Sequence, residues 1–475
     1  MCVSFVEQFN RLPIESLCQK AKQASESDVF ATLAKNSLNL TDLANLLSPN
    51  AANQLECLAK RSNKITQQRF GRVIRLFAPL YLSNECINNC VYCGFSRDNP
   101  ILRVTLSVNE VVNEAQALVL QGFRNILLVA GEHPKFVSSS YMSDCITALR
   151  TKVPSISLEV GPMEKKEYIP LVNSGAEGLV VYQETYNREV YANMHTSGPK
   201  KNFDWRLETP ERGHDAGFRR LGIGALFGLS DWRYETICLA AHAKYLLRRC
   251  WKSQLTISLP RIRPCAGEFQ PLSDFNDRAL VQTICALRLF LPDVGIVLST
   301  REPASLRDKL IPLGITNMSA GSHTEPGGYT GAGNNNLHYT ERGHIKEGIT
   351  NTIAVFKDNY GPLDPDAKRL ITNGVSMSAS NLIASRYMKL LAHLPILLKD
   401  ESKDILVICF GTGQTVGAAG VHPNISRVDA VDLSIQIEKD GGCLRFSSDV
   451  HTNSVLQGGK ISRKRNGAYG RSRRI

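Results

Sequence analysis

The chain has 475 residues, of which 43% are hydrophobic and 21% are charged, as in ordinary globular proteins. This composition excludes a disordered chain, and no apolar run reaches the ~20 residues that span a bilayer. The net charge is +12, but seven Lys or Arg and no acid lie in the last 16 residues. We therefore expect a basic disordered tail at 458–475, and neither a membrane protein nor a nucleic-acid-binding one.

The N-terminal sequence lacks a basic segment followed by an apolar one, so we expect no signal peptide and a cytoplasmic location. Thirteen cysteines are present, an odd number spread along the chain, which favours reduced thiols. Residues 1–70 contain helical patterns that predict an N-terminal helical arm, with Asn39 or Thr41 as a helix N-cap.

From residue 71 onward, short β-branched or apolar runs alternate with amphipathic stretches of helix length, which favours parallel strands joined by helices. Eight such units predict an α/β fold, a complete (β/α)8 TIM-type barrel over residues 71–337, with functional side chains at the carboxyl ends of its strands. The predicted strands are 73–83, 125–131, 155–161, 178–183, 221–227, 255–261, 295–301 and 315–320.

Three cysteines, Cys86, Cys90 and Cys93, follow the first predicted strand with the spacing C-x3-C-x2-C. Three thiolates can hold a 4Fe-4S cluster and leave one iron open. S-adenosylmethionine (SAM) can bind that iron through its amino and carboxylate groups and then be cleaved to a radical. A zinc ion is the alternative, but it would require a fourth protein ligand. We expect a 4Fe-4S cluster and SAM as cofactors.

An aromatic residue, Tyr92, precedes the third cysteine, and the second strand ends in AGEHP. Both features resemble the radical SAM superfamily, whose members carry a Gly-Gly-Glu motif at this strand end. The resemblance implies that Tyr92 contacts the adenine of SAM and that Gly131 and Glu132 hold its amino group. Ala130 stands in place of the first glycine of the motif.

Further segments resemble the 2-iminoacetate synthases, the tyrosine lyase family of thiamine biosynthesis. The resemblance implies that Glu184 and Arg206 bind the ribose and the carboxylate of SAM. It also implies that Gly222 and Gly224 let the backbone approach the adenine, since glycine permits close contact. The segments are YQETY (182–186), FDWRLETPER (203–212), GIGALFGLSDWR (222–233), SLPRIRPCAG (258–267), LSTRE (298–302) and NMSAGSHTEPGGY (317–329).

The last two predicted barrel strands end in a cation and hydroxyl groups, at Ser299, Arg301 and Ser319. A planar guanidinium suits a carboxylate, so we expect these residues at the substrate, with Arg301 as the anchor for tyrosine. The alternative is a salt bridge between Arg301 and Glu302.

The resemblance implies a radical SAM lyase, in which a 5′-deoxyadenosyl radical abstracts hydrogen from L-tyrosine and the Cα–Cβ bond breaks. The products would be p-cresol and 2-iminoacetate, for the thiazole moiety of thiamine. The resemblance also implies a thiazole synthase partner and an electron donor of the flavodoxin or ferredoxin type.

Two alternatives stay open: another tyrosine-using radical SAM enzyme, of the hydrogenase-maturation or deazaflavin-precursor type, or a SAM-dependent aminopropyl- or methyltransferase. The hydrogenase-maturation enzyme needs a C-terminal cysteine triad, whereas only Cys409 and Cys443 follow residue 340. Cys265 in SLPRIRPCAG matches the thiamine enzymes.

Residues 338–457 resemble part of a spermidine-synthase-like nucleotide-binding domain. The segment ICFGTGQTVGAA is typical of a strand, a glycine loop and a helix, and Asp432 ends a second strand as a ribose-binding acid would. The resemblance ends after Leu433, and no further strand is evident in the last 42 residues. We therefore expect an incomplete Rossmann-like domain without aminopropyltransferase activity.

Overall fold

The structure is a computed structural model, and the chain divides into a first unit, Met1–Leu337, and a second unit, His338–Ile475. Four residues singled out above, Cys265, Cys409, Asp432 and Cys443, lie outside the described residues. The structure describes residues 3–263, 269–330, 344–347, 352–357, 368–372, 375–379, 382–399, 402–408, 414–431, 453–455 and 460–462.

A closed barrel of eight parallel strands forms the first unit, in the order β1-β10-β9-β8-β7-β5-β4-β3. Each predicted strand overlaps one barrel strand, so the predicted (β/α)8 barrel is confirmed. The short strands β2 and β6 lie outside the barrel and pair with each other. The strands are β1 (Arg75–Ser83), β2 (Asn89–Cys90), β3 (Asn125–Ala130), β4 (Ser155–Glu159), β5 (Gly178–Glu184), β6 (His195–Ser197), β7 (Arg220–Ala225), β8 (Gln254–Ser258), β9 (Gly295–Leu298) and β10 (Asn317–Ser319).

Helices precede the barrel and connect its strands. A 3-10 turn, Pro199–Lys201, follows β6. The helices are α1 (Phe5–Phe9), α2 (Ile14–Gln23), α3 (Glu26–Ala34), α4 (Leu40–Leu46), α5 (Pro49–Asn53), α6 (Leu55–Phe70), α7 (Val108–Leu120), α8 (Ser139–Leu149), α9 (Lys165–Ser174), α10 (Arg188–Met194), α11 (Phe203–Leu207), α12 (Thr209–Ala216), α13 (Trp232–Arg249), α14 (Asp277–Phe290) and α15 (Ala304–Gly314).

The helical segments predicted for residues 1–70 are confirmed as α1 to α6. Asn39, and not Thr41, is the N-cap of α4: its side chain accepts from the backbone N–H of Asp42, whose carboxylate accepts from the Asn39 N–H. Helix α6 packs against α14 and α15, so the N-terminal helices cover part of the outer face of the barrel.

The inner and outer faces of the barrel strands differ in accessibility. In β4, Leu158 faces outward into the hydrophobic core, whereas Ser157 and Glu159 face the interior and are only partly buried. In β5, Val181 is buried in the same core and Tyr182 is partly exposed on the inner face. Interiors of such barrels are usually packed, but this one contains an accessible lumen with polar side chains on its wall.

The second unit contains two sheets. The sequence analysis expected the strand–helix–strand unit β15-α17-β16, which is confirmed, but not β17 and β18, which pair antiparallel beside β16. Those two strands are only three residues long and polar, so no apolar alternation marked them. The elements are β11 (His344–Glu347), β12 (Thr352–Lys357), β13 (Lys368–Thr372), β14 (Val375–Ala379), α16 (Leu382–Leu398), β15 (Asp404–Ile408), α17 (Gln414–Gly420), β16 (Arg427–Val431), β17 (Asn453–Val455) and β18 (Lys460–Ser462).

Within the described ranges, no helix is both long and apolar enough to cross a membrane. The cysteines there are all free thiols, in agreement with the expectation from their number and spacing. They are Cys18, Cys57, Cys86, Cys90, Cys93, Cys145, Cys238, Cys250 and Cys285.

Arg288 in α14 is fully buried and joins the ends of three elements. Its guanidinium donates to the carbonyls of Val294, 2.7 Å away, and Gly314, 2.7 Å away, and also to those of Leu291 and Pro292. Arg288→Met would leave these buried carbonyls without a donor, so we expect it to lower the free energy of unfolding by about 3 kcal/mol.

Urea unfolding of the full chain, followed by tryptophan fluorescence, measures this change, because all three tryptophans lie in the first unit. Arg278→Met on the same helix is the matched control, since Arg278 is exposed and donates to one carbonyl only. Its effect should stay below about 1 kcal/mol. Equal losses in the two variants would contradict the role assigned to Arg288.

Candidate active site

The three predicted cluster ligands lie on the loop that follows β1, at the carboxyl end of the barrel. Cys90 is buried in the β2–β6 ladder, whereas Cys86 and Cys93 are partly exposed. The amide of Asn88 points its nitrogen to the Cys86 sulfur at 3.7 Å, and the Cys93 N–H donates to the Cys90 carbonyl at 3.1 Å. The loop therefore presents all three thiols from one short, internally bonded segment.

The chemistry of this donor set fits an iron–sulfur cluster. Burial raises the pKa of Cys90 to about 12, and the ammonium of Lys200 opposes that rise. A metal deprotonates a coordinating thiol outright. Three thiols on one loop suit a cubane, in which each thiolate would bind its own iron.

Gly131 and Glu132 follow β3 and contact the cysteine loop. A Cβ at Gly131 would lie 2.2 Å from the carbonyl oxygen of Glu85, so only glycine fits against the loop. The Glu132 carbonyl accepts from the Ile87 N–H at 2.9 Å, and its carboxylate accepts from the Asn88 amide at 2.7 Å. The structure thus brings the predicted motif to the predicted ligands. Its contact with the SAM amino group stays a prediction.

Tyr92 is held by His195, which the sequence analysis did not identify. The His195 Nδ1 lies 2.8 Å from the Tyr191 carbonyl, and its Nε2 lies 2.8 Å from the Tyr92 hydroxyl. Burial lowers the pKa of His195 to about 3, so the ring is neutral. Because a carbonyl only accepts, Nδ1 carries the hydrogen and Nε2 accepts from Tyr92. This bond fixes the orientation of the tyrosine ring.

Glu184 and Arg206 meet at the end of β5, and Lys200 joins them. Lys200 Nζ lies 2.7 Å from the Glu184 carboxylate, and an Arg206 nitrogen lies 3.5 Å from it. Burial alone would raise the pKa of Glu184, but the two cations outweigh it and hold that pKa below its ordinary value. Glu184 also has a φ of 71°, a strained backbone conformation typical of functional sites.

Gly222 and Gly224 lie on the inner face of β7. A Cβ at Gly224 would lie 2.7 Å from the Tyr182 ring and from the Ser258 carbonyl, and one at Gly222 would lie 2.9 Å from a Val180 methyl. The glycines therefore make room for neighbouring side chains within the lumen. Their proposed approach to the adenine stays a prediction.

The loop after β9 carries Arg301 and is shaped by the two predicted serines. The Ser299 hydroxyl accepts from the Arg301 N–H at 3.1 Å, and the Ser319 hydroxyl accepts from the Thr300 N–H at 3.0 Å. Both hydroxyls thus have partners within the loop. The alternative salt bridge between Arg301 and Glu302 is not formed.

Glu302 pairs instead with Arg261 and Arg263, the latter at 2.7 Å. Among the residues that the structure describes, the Arg301 guanidinium has no carboxylate within ion-pair distance. It is available to a ligand of opposite charge.

Glu159, at the end of β4, also faces this space and was missed by the sequence analysis. Burial raises the pKa of Glu159 to about 7, the Glu184 carboxylate adds to the rise, and Arg301 opposes it. The tyrosines Tyr81 and Tyr182 stand on the same inner wall. The lumen therefore combines aromatic walls with an acid, Glu159, and a cation, Arg301.

Family models match the chain in two places. The radical SAM superfamily matches residues 80–240, and the Biotin and Thiamin Synthesis associated domain matches residues 258–357. The chain is 43% identical over 327 residues to the 2-iminoacetate synthase of Escherichia coli (strain K12), across 69% of the chain and 87% of that relative.

Solved structures of HydG, a maturase of the FeFe-hydrogenase, are similar to the barrel. One has a TM-score of 0.65 and 32% identity, over 68% of this chain and 74% of that one. HydG from Carboxydothermus hydrogenoformans has a TM-score of 0.63 and 37% identity, over 68% and 76% of the two chains.

Gly131→Ala tests the contact between the motif and the loop. The added methyl would collide with the Glu85 carbonyl and displace Cys86, at a cost of about 1–3 kcal/mol. We expect cluster affinity to fall roughly tenfold or more, measured as iron bound after anaerobic reconstitution. Gly417→Ala in α17, where no atom lies within 4 Å of the new methyl, is the control and should retain its iron.

The raised pKa of Glu159 predicts a pH dependence of stability. The Glu159 carboxyl keeps its proton up to about pH 7 in the folded chain, but only up to about pH 4.5 in the unfolded chain. As the pH rises from about 4.5 to about 7, the contribution of Glu159 to the free energy of unfolding is therefore lost. The charged and titratable groups facing Glu159 are Tyr81, Tyr182, Glu184, Lys200, Arg206 and Arg301.

Glu159→Gln removes this titration. The stability advantage of the variant over the unaltered apo chain should therefore grow from about pH 5 to about pH 7 and then level off. Urea unfolding at a series of pH values measures it, with exposed Glu56→Gln as the control. A pH-independent difference would show that Glu159 titrates normally.

Proposed function

The chain belongs to the 2-iminoacetate synthase family of radical SAM enzymes, and on that premise we propose that it is a tyrosine lyase. It cleaves the Cα–Cβ bond of L-tyrosine to 2-iminoacetate and p-cresol, for the thiazole moiety of thiamine. The observation that carries the proposal is the 43% identity to a 2-iminoacetate synthase across 87% of that relative. The radical SAM family match, residues 80–240, includes the cysteine loop.

The chain supplies separate places for the cofactors and the substrate. Cys86, Cys90 and Cys93 would hold the 4Fe-4S cluster, and SAM would occupy the open iron. When bound, this pair supplies a 5′-deoxyadenosyl radical that removes a hydrogen atom from the substrate.

The predicted contacts to SAM lie close together around the loop. Tyr92 would contact the adenine and Glu132 the amino group. The Glu184–Lys200–Arg206 cluster contains two cations and one anion, so it has positive charge left for the SAM carboxylate. Lys200 is thus a further candidate contact, next to the predicted Arg206.

On the substrate side, Arg301 would bind the tyrosine carboxylate, and Ser299 and Ser319 would keep its loop in place. The inner wall is polar and only partly buried, and an aromatic side chain would displace water from it. Exclusion of water and of stray hydrogen donors protects a radical until it reacts with the bound substrate. Fixed orientation places the reacting carbon near the radical.

We further propose that a thiazole synthase takes up the 2-iminoacetate and that a flavodoxin- or ferredoxin-type protein donates the electron. The alternative of hydrogenase maturation rests on the similarity to HydG. It is less supported, because the identity to HydG, 32% and 37%, is lower than the 43% identity to a 2-iminoacetate synthase. The spermidine-synthase-like character of residues 338–457 stays a prediction.

The test is anaerobic reconstitution of the full chain with iron and sulfide, followed by incubation with dithionite, SAM and L-tyrosine. We expect 5′-deoxyadenosine and p-cresol in the products, and loss of both in Cys90→Ala. Formation of 5′-deoxyadenosine without p-cresol would reject the tyrosine lyase and retain radical SAM chemistry. A Cys90→Ala variant that still cleaves SAM would reject the cluster assignment.

A further inference from the structure

Glu159 and Arg301 face each other across the barrel. Glu159 ends β4 and Arg301 follows β9, and these strands stand four positions apart in either direction around the eight-stranded ring. No ion pair or side-chain hydrogen bond joins either group to another described residue, yet the two charges act on each other. They are therefore an acid and a cation on opposite sides of the lumen.

Two aromatic side chains, Tyr81 and Tyr182, stand on the inner wall near Glu159. Tyr81 interacts electrostatically with both Arg301 and Glu159. Tyr182 lies near Glu159, and its hydroxyl donates to the Ser258 hydroxyl at 3.1 Å. Because Tyr182 already has this partner, its hydroxyl does not occupy the Glu159 carboxylate.

The positions of Arg301 and Glu159 indicate which part of an amino acid each residue would contact. In tyrosine, the carboxylate and the ammonium share one carbon, whereas the phenolic hydroxyl lies at the other end of the long axis. Groups that bound the carboxylate and the ammonium would both meet the end of the ligand that carries the α-carbon, whereas Glu159 and Arg301 lie on opposite strands. With its carboxylate at Arg301, a tyrosine lying across the lumen directs its hydroxyl toward Glu159.

We propose that Glu159 accepts a hydrogen bond from the phenolic hydroxyl of tyrosine and thereby selects tyrosine over phenylalanine. The inference rests on the proposed function. It assigns a binding partner to the phenolic end of the substrate, for which no family motif provides one. A site built to hydrogen-bond a substrate hydroxyl strongly rejects the analogue that lacks it, because its buried polar group is then left unpaired. Glu159 has the position and the chemistry for this discrimination.

Equilibrium binding tests the proposal without turnover. The reconstituted full chain, with SAM but no reductant, is titrated calorimetrically with three ligands. L-tyrosine carries all groups, L-phenylalanine lacks the hydroxyl, and 3-(4-hydroxyphenyl)propionate lacks the ammonium. Glu159→Met removes the acceptor at similar volume, and Glu159→Gln keeps an uncharged acceptor.

We expect Glu159→Met to weaken binding of L-tyrosine and of the propionate about tenfold. Binding of L-phenylalanine should not weaken, and Glu159→Gln should show an intermediate loss. Arg301→Met should weaken all three ligands, because each has the carboxylate. Glu56→Gln, at an exposed site, should change none of them. Unchanged iron content in each variant shows that the fold and the cluster are intact.

Loss of tyrosine and phenylalanine affinity with retention of the propionate would place Glu159 at the ammonium and overturn the proposal. Equal loss for all three ligands, or no loss for any, would overturn it as well. The proposed function is tested separately by p-cresol formation in the unaltered chain. If the unaltered chain forms p-cresol but the binding test fails, only the role of Glu159 is rejected and the proposed function stands.

Discussion

Closure of the parallel barrel is the constraint on which the rest of the structure depends. Parallel strands that hydrogen-bond into a ring must all end at the same rim, so residues far apart in sequence meet there. The cysteine loop after β1, Glu132 after β3, Glu159 at the end of β4, Glu184 at the end of β5 and Arg301 after β9 are brought together in this way. No local contact between these segments in the chain would achieve it.

The charged residues at that rim form two separate groups. Near the cysteines, Lys200 and Arg206 surround Glu184, hold it ionised and leave excess positive charge. Across the lumen, Arg301 and Glu159 have no such partners among the residues that the structure describes. The Glu184 cluster is held by its own ion pairs, whereas Arg301 and Glu159 can gain partners from a ligand. This difference in pairing is the basis for the proposed division into a cofactor side and a substrate side.

The sequence predicted what is local and repetitive. Eight apolar runs marked the strands, and three closely spaced cysteines marked the loop, because both signals lie within a few residues. Lys200 could not be found in this way, since it reaches Glu184 from a separate turn, nor could the bond between Tyr92 and His195, 103 residues apart. Glu159 could have been predicted: it lies near the carboxyl end of the predicted strand 155–161, on the same face as Ser157, and is the one charged residue of that strand.

The lumen itself follows from side-chain size on the inner face of the strands. Gly222 and Gly224 in β7 and Ser157 in β4 are too small to fill the interior, and the two glycines make room for Val180 and Tyr182. A barrel that gives up inner packing loses dispersion contacts and must recover stability elsewhere. The outer faces of the strands supply that stability, since they are almost fully buried beneath the helices in one continuous hydrophobic core. Because the outer faces are packed and the inner faces are open, the same eight strands hold the fold together and enclose a reactive substrate.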